Sequence, residues 1–347
     1  MKHFFLFNLC TFLLFSNNLN YGVLNNQAFV LNKRNLDLKL AYLRVNDDLD
    51  FLNMRESELG SLSQFGTSIG NMSGYEFGIR HGLLKNDSIF FNFQEWNIDY
   101  AGSTLTNRKI EFFNRFNIVA NKYAYINSFS FDIGIIKDSA DRVEITNIPF
   151  MNSMIKKVAP NSTYSLSEND KLFDKQTQNF INPSVVIDNL SANTLYLKLL
   201  FGKKISHRTV INLYSNYSYI DLTSKIDISP IILRDYLNNI KIPNLNRQEQ
   251  VLDIGFSIIS DLKYFIFELD YKYSKIFRDS HLDYRNYNHD LEIALSKAVT
   301  REILVFISGK MMFQQLNREI PYLYNRYTET QFDKKYGFAK FGLIYKF

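Results

Sequence analysis

The chain has 347 residues, of which 46% are hydrophobic and 16% aromatic, with 31 Phe and 22 Tyr against one Trp. Mean hydropathy is nonetheless −0.19, which suits elements with one apolar and one polar face. Past the N-terminus no run reaches about 18 consecutive apolar residues, so transmembrane helices are excluded. The net charge of +5 is small, and the absence of any basic block argues against a nucleic-acid partner. The length fits a single large β-domain as well as two ordinary ones.

The N-terminus reads as a secretory leader: Met1-Lys2-His3 is basic, and Phe4 to Phe15 is an apolar run too short to span a bilayer. Residues 1–22 are assigned to this leader, with cleavage expected near Gly22. Cys10, the sole cysteine, lies inside the apolar run and reads as an ordinary member of it, so the mature chain has no thiolate for a disulfide or a metal. Residues 23–34 form a short lead into the domain that occupies 35–347.

From residue 35 onward, segments of about ten residues alternate apolar and polar side chains, the pattern of half-buried strands. Twelve are expected: 35–45, 74–84, 88–100, 106–119, 123–137, 193–204, 207–222, 248–260, 263–277, 289–299, 302–316 and 332–347. The third is ambiguous. Phe91 and Phe93 share one face, whereas Trp96, Ile98 and Tyr100 share the other, so a β-bulge near Gln94 is expected. Between strands five and six lies an insertion, 138–190. In the loop 223–246, Ser229-Pro230 reads as an N-cap followed by proline at the first helical position, opening a short helix to about Asn239. Connections after even strands are short and those after odd strands mostly long. All six prolines (Pro149, Pro160, Pro183, Pro230, Pro243, Pro321) fall in long loops, where no ladder N–H is lost.

The chain ends Lys340-Phe341-Gly342-Leu343-Ile344-Tyr345-Lys346-Phe347. Phe341, Leu343, Tyr345 and Phe347 take one face of a strand; Lys340, Gly342 and Lys346 take the other. This stretch resembles the C-terminal β-signal of bacterial outer-membrane barrel proteins, with Lys340 in its polar slot, Gly342 as its glycine, and Tyr345 and Phe347 in its hydrophobic slots. The resemblance covers eight residues and implies recognition by the barrel-assembly machinery. It agrees with the strand pattern in implying an all-β, antiparallel transmembrane barrel of about twelve strands, with short periplasmic turns, long outer loops and lipid as its surroundings. The lead 23–34 is then periplasmic. A large secreted sandwich or β-helix is the soluble alternative, but such folds rarely expose aromatic stripes on strand after strand.

In this register the inward-facing charged set is Glu76, Arg80, Lys109, Glu111, Arg115, Asp132, Lys198, Asp253, Glu268, Asp270, Lys272, Asp290, Glu292, Lys310 and Lys340. Glu268 and Asp270 beside Asp290 and Glu292 suggest an acidic wall, opposed by Lys109 and Arg115, as in pores that orient polar solutes. The bland alternative is a set of ion pairs filling a narrow interior. Twelve strands lie between a filled eight-strand barrel and an open sixteen-strand channel, so a loop can close the lumen, and 138–190 is the candidate. Three readings stand: a narrow porin-like channel for small polar solutes, a surface barrel acting in adhesion through its long loops, and an outer-membrane hydrolase. For the hydrolase, none of His3, His81, His207, His281 and His289 has a serine at the spacing a rim phospholipase requires. No catalytic constellation and no cofactor or metal site is expected; Asp47, Asp48 and Asp50 read as a solvated loop. Twelve strands close alone, so a monomer is expected.

Overall fold

The computed structural model describes residues 22–45, 69–100, 103–118, 128–145, 164–166, 172–175, 178–181, 184–229, 246–279, 282, 285–314, 316–324 and 335–347. The leader, Asp47, Asp48 and Asp50, His281, most of the insertion and the helix expected after Ser229 lie outside these residues, as do five of the six prolines.

Twelve long strands form one closed antiparallel sheet: β1 (Leu36–Val45), β2 (Ile69–Leu84), β3 (Asp87–Tyr100), β4 (Ser103–Ile118), β5 (Ser128–Ala140), β6 (Ser184–Ser206), β7 (Thr209–Ser229), β8 (Arg247–Asp261), β9 (Ile266–Phe277), β10 (Tyr287–Ala298), β11 (Ile303–Met312) and β12 (Tyr336–Lys346). Each pairs with its sequence neighbour. The ring closes where β12 meets β1, in register from Asp37↔Lys346 to Arg44↔Ala339. A short strand, Val143–Ile145, pairs with the start of β6, and three further short strands form a separate small sheet. The start of β1 and the end of β12 lie at the end that carries the tight turns, 85–86 and 207–208 among them.

The alternation of the sequence becomes the two sides of the wall. Tyr75, Ile135 and Phe341 point out and are 64%, 57% and 64% exposed, while Glu76, Asp132 and Asp138 between such residues are buried. The outward face is thus an exposed apolar surface. Inside, four glycines each lie under an aromatic ring from the residue directly across the ladder: Gly74 under Trp96, Gly134 under Tyr196, Gly255 under Tyr214 and Gly342 under Phe306. A side chain at any of these glycines would occupy the space of the ring, and the ring covers backbone that the glycine leaves bare.

Strand β3 has no bulge at Gln94. Its ladder with β2 runs unbroken from Met72↔Ile98 to Gly82↔Ser88. Asn92, Gln94, Trp96 and Ile98 all face inward, because the interior itself changes from polar to apolar along the strand. β6 and β7 are longer than expected, reaching back to Ser184 and on to Ser229, so their hairpin stands above the rest of the wall.

Two segments fill the lumen, which twelve strands leave too wide for wall side chains alone. Residues 22–34, the expected lead, cross it at the turn end. Residues 316–324, in the loop between β11 and β12, fold into it at the loop end. The latter includes the 3₁₀ turn Pro321–Leu323, in which proline supplies the preset φ of the first position. The loop 317–331 is expected to be a plain connection, but its described part, 317–324, closes the loop end, a role expected of 138–190, most of which lies outside the described residues.

Candidate functional site: a charged lumen between two closures

The floor is built on polar wall groups that meet the backbone of 22–34. Arg115 on β4 forms a fork with Asp132 across the ladder on β5, at 2.7 and 2.8 Å, and its remaining N–H groups donate to the carbonyls of Gln27 and Asn25. The same guanidinium lies 5.0 Å from the Phe90 ring centre. The Ala28 carbonyl accepts from Asn117, Ser128 and Ser130, and its N–H donates to Asn212 Oδ1 at 3.0 Å. Leu31 N–H donates to Ser88. At the far wall, Glu268 on β9 accepts from Val23 and Leu24 N–H at 2.5 and 3.0 Å. The side chains of Val23 and Leu24 pack on Ala41, Ala294, Leu304, Phe306 and Ile344.

The roof is mostly apolar. Leu316, Ile320, Tyr322, Leu323 and Tyr324 are buried against Met72, Trp96, Ile98, Leu105, Ile220, Leu222, Val251 and Ile276 of the wall. Polar tethers surround this contact. Lys310 pairs with Glu319, Arg318 approaches Asp253 at 3.6 Å, Lys109 donates to the Glu319 carbonyl at 3.1 Å, and Tyr322 donates to Asn107. Arg278, held by Glu249 at 2.8 Å, stacks 4.0 Å from the Tyr324 ring centre. Burial would raise the Glu319 pKa, but Lys310 and Lys272 outweigh it and hold the carboxyl below its ordinary value.

Between floor and roof lies a cavity of about 280 Å³, room for about nine waters. Eleven of the fifteen expected inward charges line it: Glu76, Glu111, Asp132, Lys198, Asp253, Asp270, Lys272, Asp290, Glu292, Lys310 and Lys340. Arg80, Lys109, Arg115 and Glu268 instead serve the floor or roof. The expected opposition of an acidic and a basic wall does not form. Lys272 and Lys310 both reach Asp290, at 2.8 and 3.5 Å, and Lys340 lies 4.0 Å from Glu292. Arg115 is taken up by Asp132, and Lys109 lies 3.5 Å from Asp138. Neighbouring strands alternate sign because like charges directly across a ladder repel. Asp270 opposite Glu292 is the exception; Asn26 and Tyr214 donate to Asp270 there.

Lys340 and Gly342 of the terminal stretch have local roles. Glu76 lies between Lys39 at 2.7 Å and Lys340 at 3.1 Å, so three charges on β1, β2 and β12 bind the closing seam together. Gly342 leaves room for Phe306. Of the three histidines within the described residues, His81 contacts the Asn35 carbonyl, His289 contacts the Tyr271 hydroxyl at 2.7 Å, and His207 lies in the turn between β6 and β7. Among the described residues, no group of three or more His, Cys, Asp or Glu is placed to hold a metal.

A closed, antiparallel, twelve-strand barrel with an apolar outside and a charged inside is a transmembrane β-barrel of the outer-membrane type. No protein-family model matches the sequence, and no curated protein matches it. Among solved structures, the chain is similar to the translocator domain of the autotransporter NalP from Neisseria meningitidis (8% identity, 91% of this chain, 90% of that one, TM-score 0.46). It is also similar to LpxR from Salmonella typhimurium (8%, 90% and 99%, TM-score 0.43) and to the NanC porin (9%, 89% and 98%, TM-score 0.41). At these identities and TM-scores the likenesses say nothing of cargo or activity.

Proposed function

We propose that this barrel is a narrow outer-membrane channel for small polar solutes, held shut at rest by its own floor and roof. The observation that carries the reading is the charged chamber. A barrel serving only as a scaffold has no need to keep about 280 Å³ of polar space at its centre, since apolar packing there is often neutral or stabilising relative to buried ion pairs. Alternating charges suit solutes with both donors and acceptors, and they disfavour a strong preference for either ion sign.

The closures are chain segments rather than the wall itself, so they can move. For the roof, burying five apolar side chains is worth on the order of 10 kcal/mol. Ordering nine residues costs about the same. The roof is therefore near balance, and its ion pairs decide the closed state.

The test is single-channel conductance of the folded chain in a planar bilayer. Wild type is expected to be mostly closed with brief openings. Glu319→Gln and Arg318→Ala, which loosen the roof, are expected to lengthen those openings. A folded barrel that stays silent after both substitutions, and after removal of 316–324, refutes the channel.

A further inference from the structure

We propose that the floor of the lumen is a binding site for this chain's own processed N-terminus: the α-ammonium of Val23 is captured by the carboxylate of Glu268. The proposal rests on the reading of residues 1–22 as a cleaved leader and goes beyond it by assigning the new terminus a seat.

Three observations converge on Glu268. Its side chain is 1% exposed, yet among the described residues no Lys or Arg forms an ion pair with it, whereas Glu76, Asp132, Asp253 and Asp290 each have one. Arg80 and Lys39 act on Glu268 only from beyond ion-pair distance, so its burial is costly, and two amide donors offset only part of that cost. Its Oε1 already lies 2.5 Å from the Val23 nitrogen, and its Oε2 3.0 Å from that of Leu24. Hydrolysis of the Gly22–Val23 amide by a leader peptidase adds one water. It leaves a carboxylate on Gly22 and an ammonium on Val23, which supplies the missing charge in place.

The seat also reads the side chain. Val23 is 2% exposed and rests in an apolar socket of Leu304, Phe306 and Ile344. Recognition of an amine together with its first side chain is the arrangement used to bind chain termini. Position 22 fits the same account. A Cβ on Gly22 would fall on the Gln27 amide and 2.5 Å from Glu268 Oε2, so a larger residue there would have to push aside the carboxylate that holds Val23. Gly22 meets the small-residue preference at the bond a leader peptidase cuts, while Asn20 two residues before it does not.

The experiment uses the chain made with its full leader and extracted from membranes. Intact mass and N-terminal sequencing are expected to give Val23 as the first residue; another terminus overturns the processing and the capture with it. With Val23 first, the α-amine of the folded barrel is acetylated at a series of pH values and the terminal peptide is quantified. Pairing with Glu268 is expected to move the midpoint of reactivity at least one unit above the ordinary value of about 8, so that at neutral pH acetylation is about tenfold slower than in Glu268→Gln. A midpoint near 8, or equal rates in the two proteins, overturns the capture while leaving the processing intact. If Glu268→Gln fails to fold, Glu268→Asp withdraws the carboxylate by one methylene and should react at an intermediate rate; the wild-type pH profile decides in any case.

Discussion

Arg115 is the residue whose loss the floor should feel most. Its guanidinium makes the two-bond fork with Asp132 and donates to two carbonyls of the floor, with both partners of the pair about 2% exposed. Arg115→Met keeps the apolar stem against Phe90 and Phe113 but removes every donor. Asp132 is left as a buried, uncompensated carboxylate, which costs about 3–5 kcal/mol. The two carbonyl contacts, made to a charged donor, are worth about 1.5–3 kcal/mol each. The double variant Arg115→Met/Asp132→Leu removes the stranded charge but not the loss of the carbonyl bonds. It should remain about 3 kcal/mol less favourable for the seated floor, roughly a hundredfold in population. A cysteine at Ala28, fully buried in the floor, reports that population through its rate of maleimide labelling in vesicles. Labelling is expected to accelerate about a hundredfold in the double variant and more in the single one. If both label within about threefold of the parent while the barrel stays folded, the floor is not held by Arg115 and the energetic reasoning fails.

Gly342→Ala should cost about 1–3 kcal/mol by overpacking, because the new Cβ lies 2.6 Å from Phe306 Cζ and falls on the Leu40 carbonyl; urea unfolding in vesicles measures it, and Phe306→Leu in the same chain should return part of the loss. The Glu319 pKa is depressed, so its contribution to roof closure is full above its ordinary value of 4.5 and is lost as pH falls below it. Conductance is therefore expected to be flat from neutral pH down to about 5 and to rise under further acidification, with Glu319→Gln abolishing the rise. Ile135→Arg on the outward face of β5 should destabilise the folded barrel by about 2–4 kcal/mol if that position is near the bilayer midplane; an unfolding midpoint unchanged in lipid would remove Ile135 from the membrane band.

The strands were legible in the sequence because their signal is local. Period-two alternation of Phe, Tyr, Ile and Leu against Asp, Lys and Ser shows in any ten-residue window, and it placed all twelve. The identities of inward charges followed from the same register. What each charge does was not legible, because partners such as Arg115 and Gln27, or Glu268 and Val23, are 88 and 245 residues apart. Even the neighbours on adjacent strands misled: Glu268, Asp270, Asp290 and Glu292 looked like a wall of one sign until Lys272, Lys310 and Lys340 were seen among them. Strand β3 failed for a different reason. The reading assumed one polarity for the whole lumen, so Trp96 and Ile98 seemed to require a bulge, whereas an apolar roof makes them ordinary inward residues. One signal for that roof was present and passed over: Leu316, Ile320, Tyr322, Leu323 and Tyr324 are too apolar for a solvated outer loop.

The two closures differ in kind, and this orders their movements. The floor is held by wall groups bonded directly to its backbone, at Asn25, Gln27, Ala28 and Leu31 and at Val23 and Leu24. Those bonds fix one register, and releasing any of them leaves buried polar groups unpaired. The roof is held by side-chain packing, which tolerates sliding, by the ion pairs Lys310–Glu319 and Arg318–Asp253, and by Arg278 stacked on the Tyr324 ring. Its gain and its ordering cost nearly cancel, so loss of a single pair shifts it. In the channel proposed above the roof is therefore expected to open first, so that the chamber exchanges solute through the loop end while the floor still seals the turn end. On the same proposal, an anionic solute in the chamber is expected to compete with Glu319 for Lys310 and so to favour the open roof for as long as it remains.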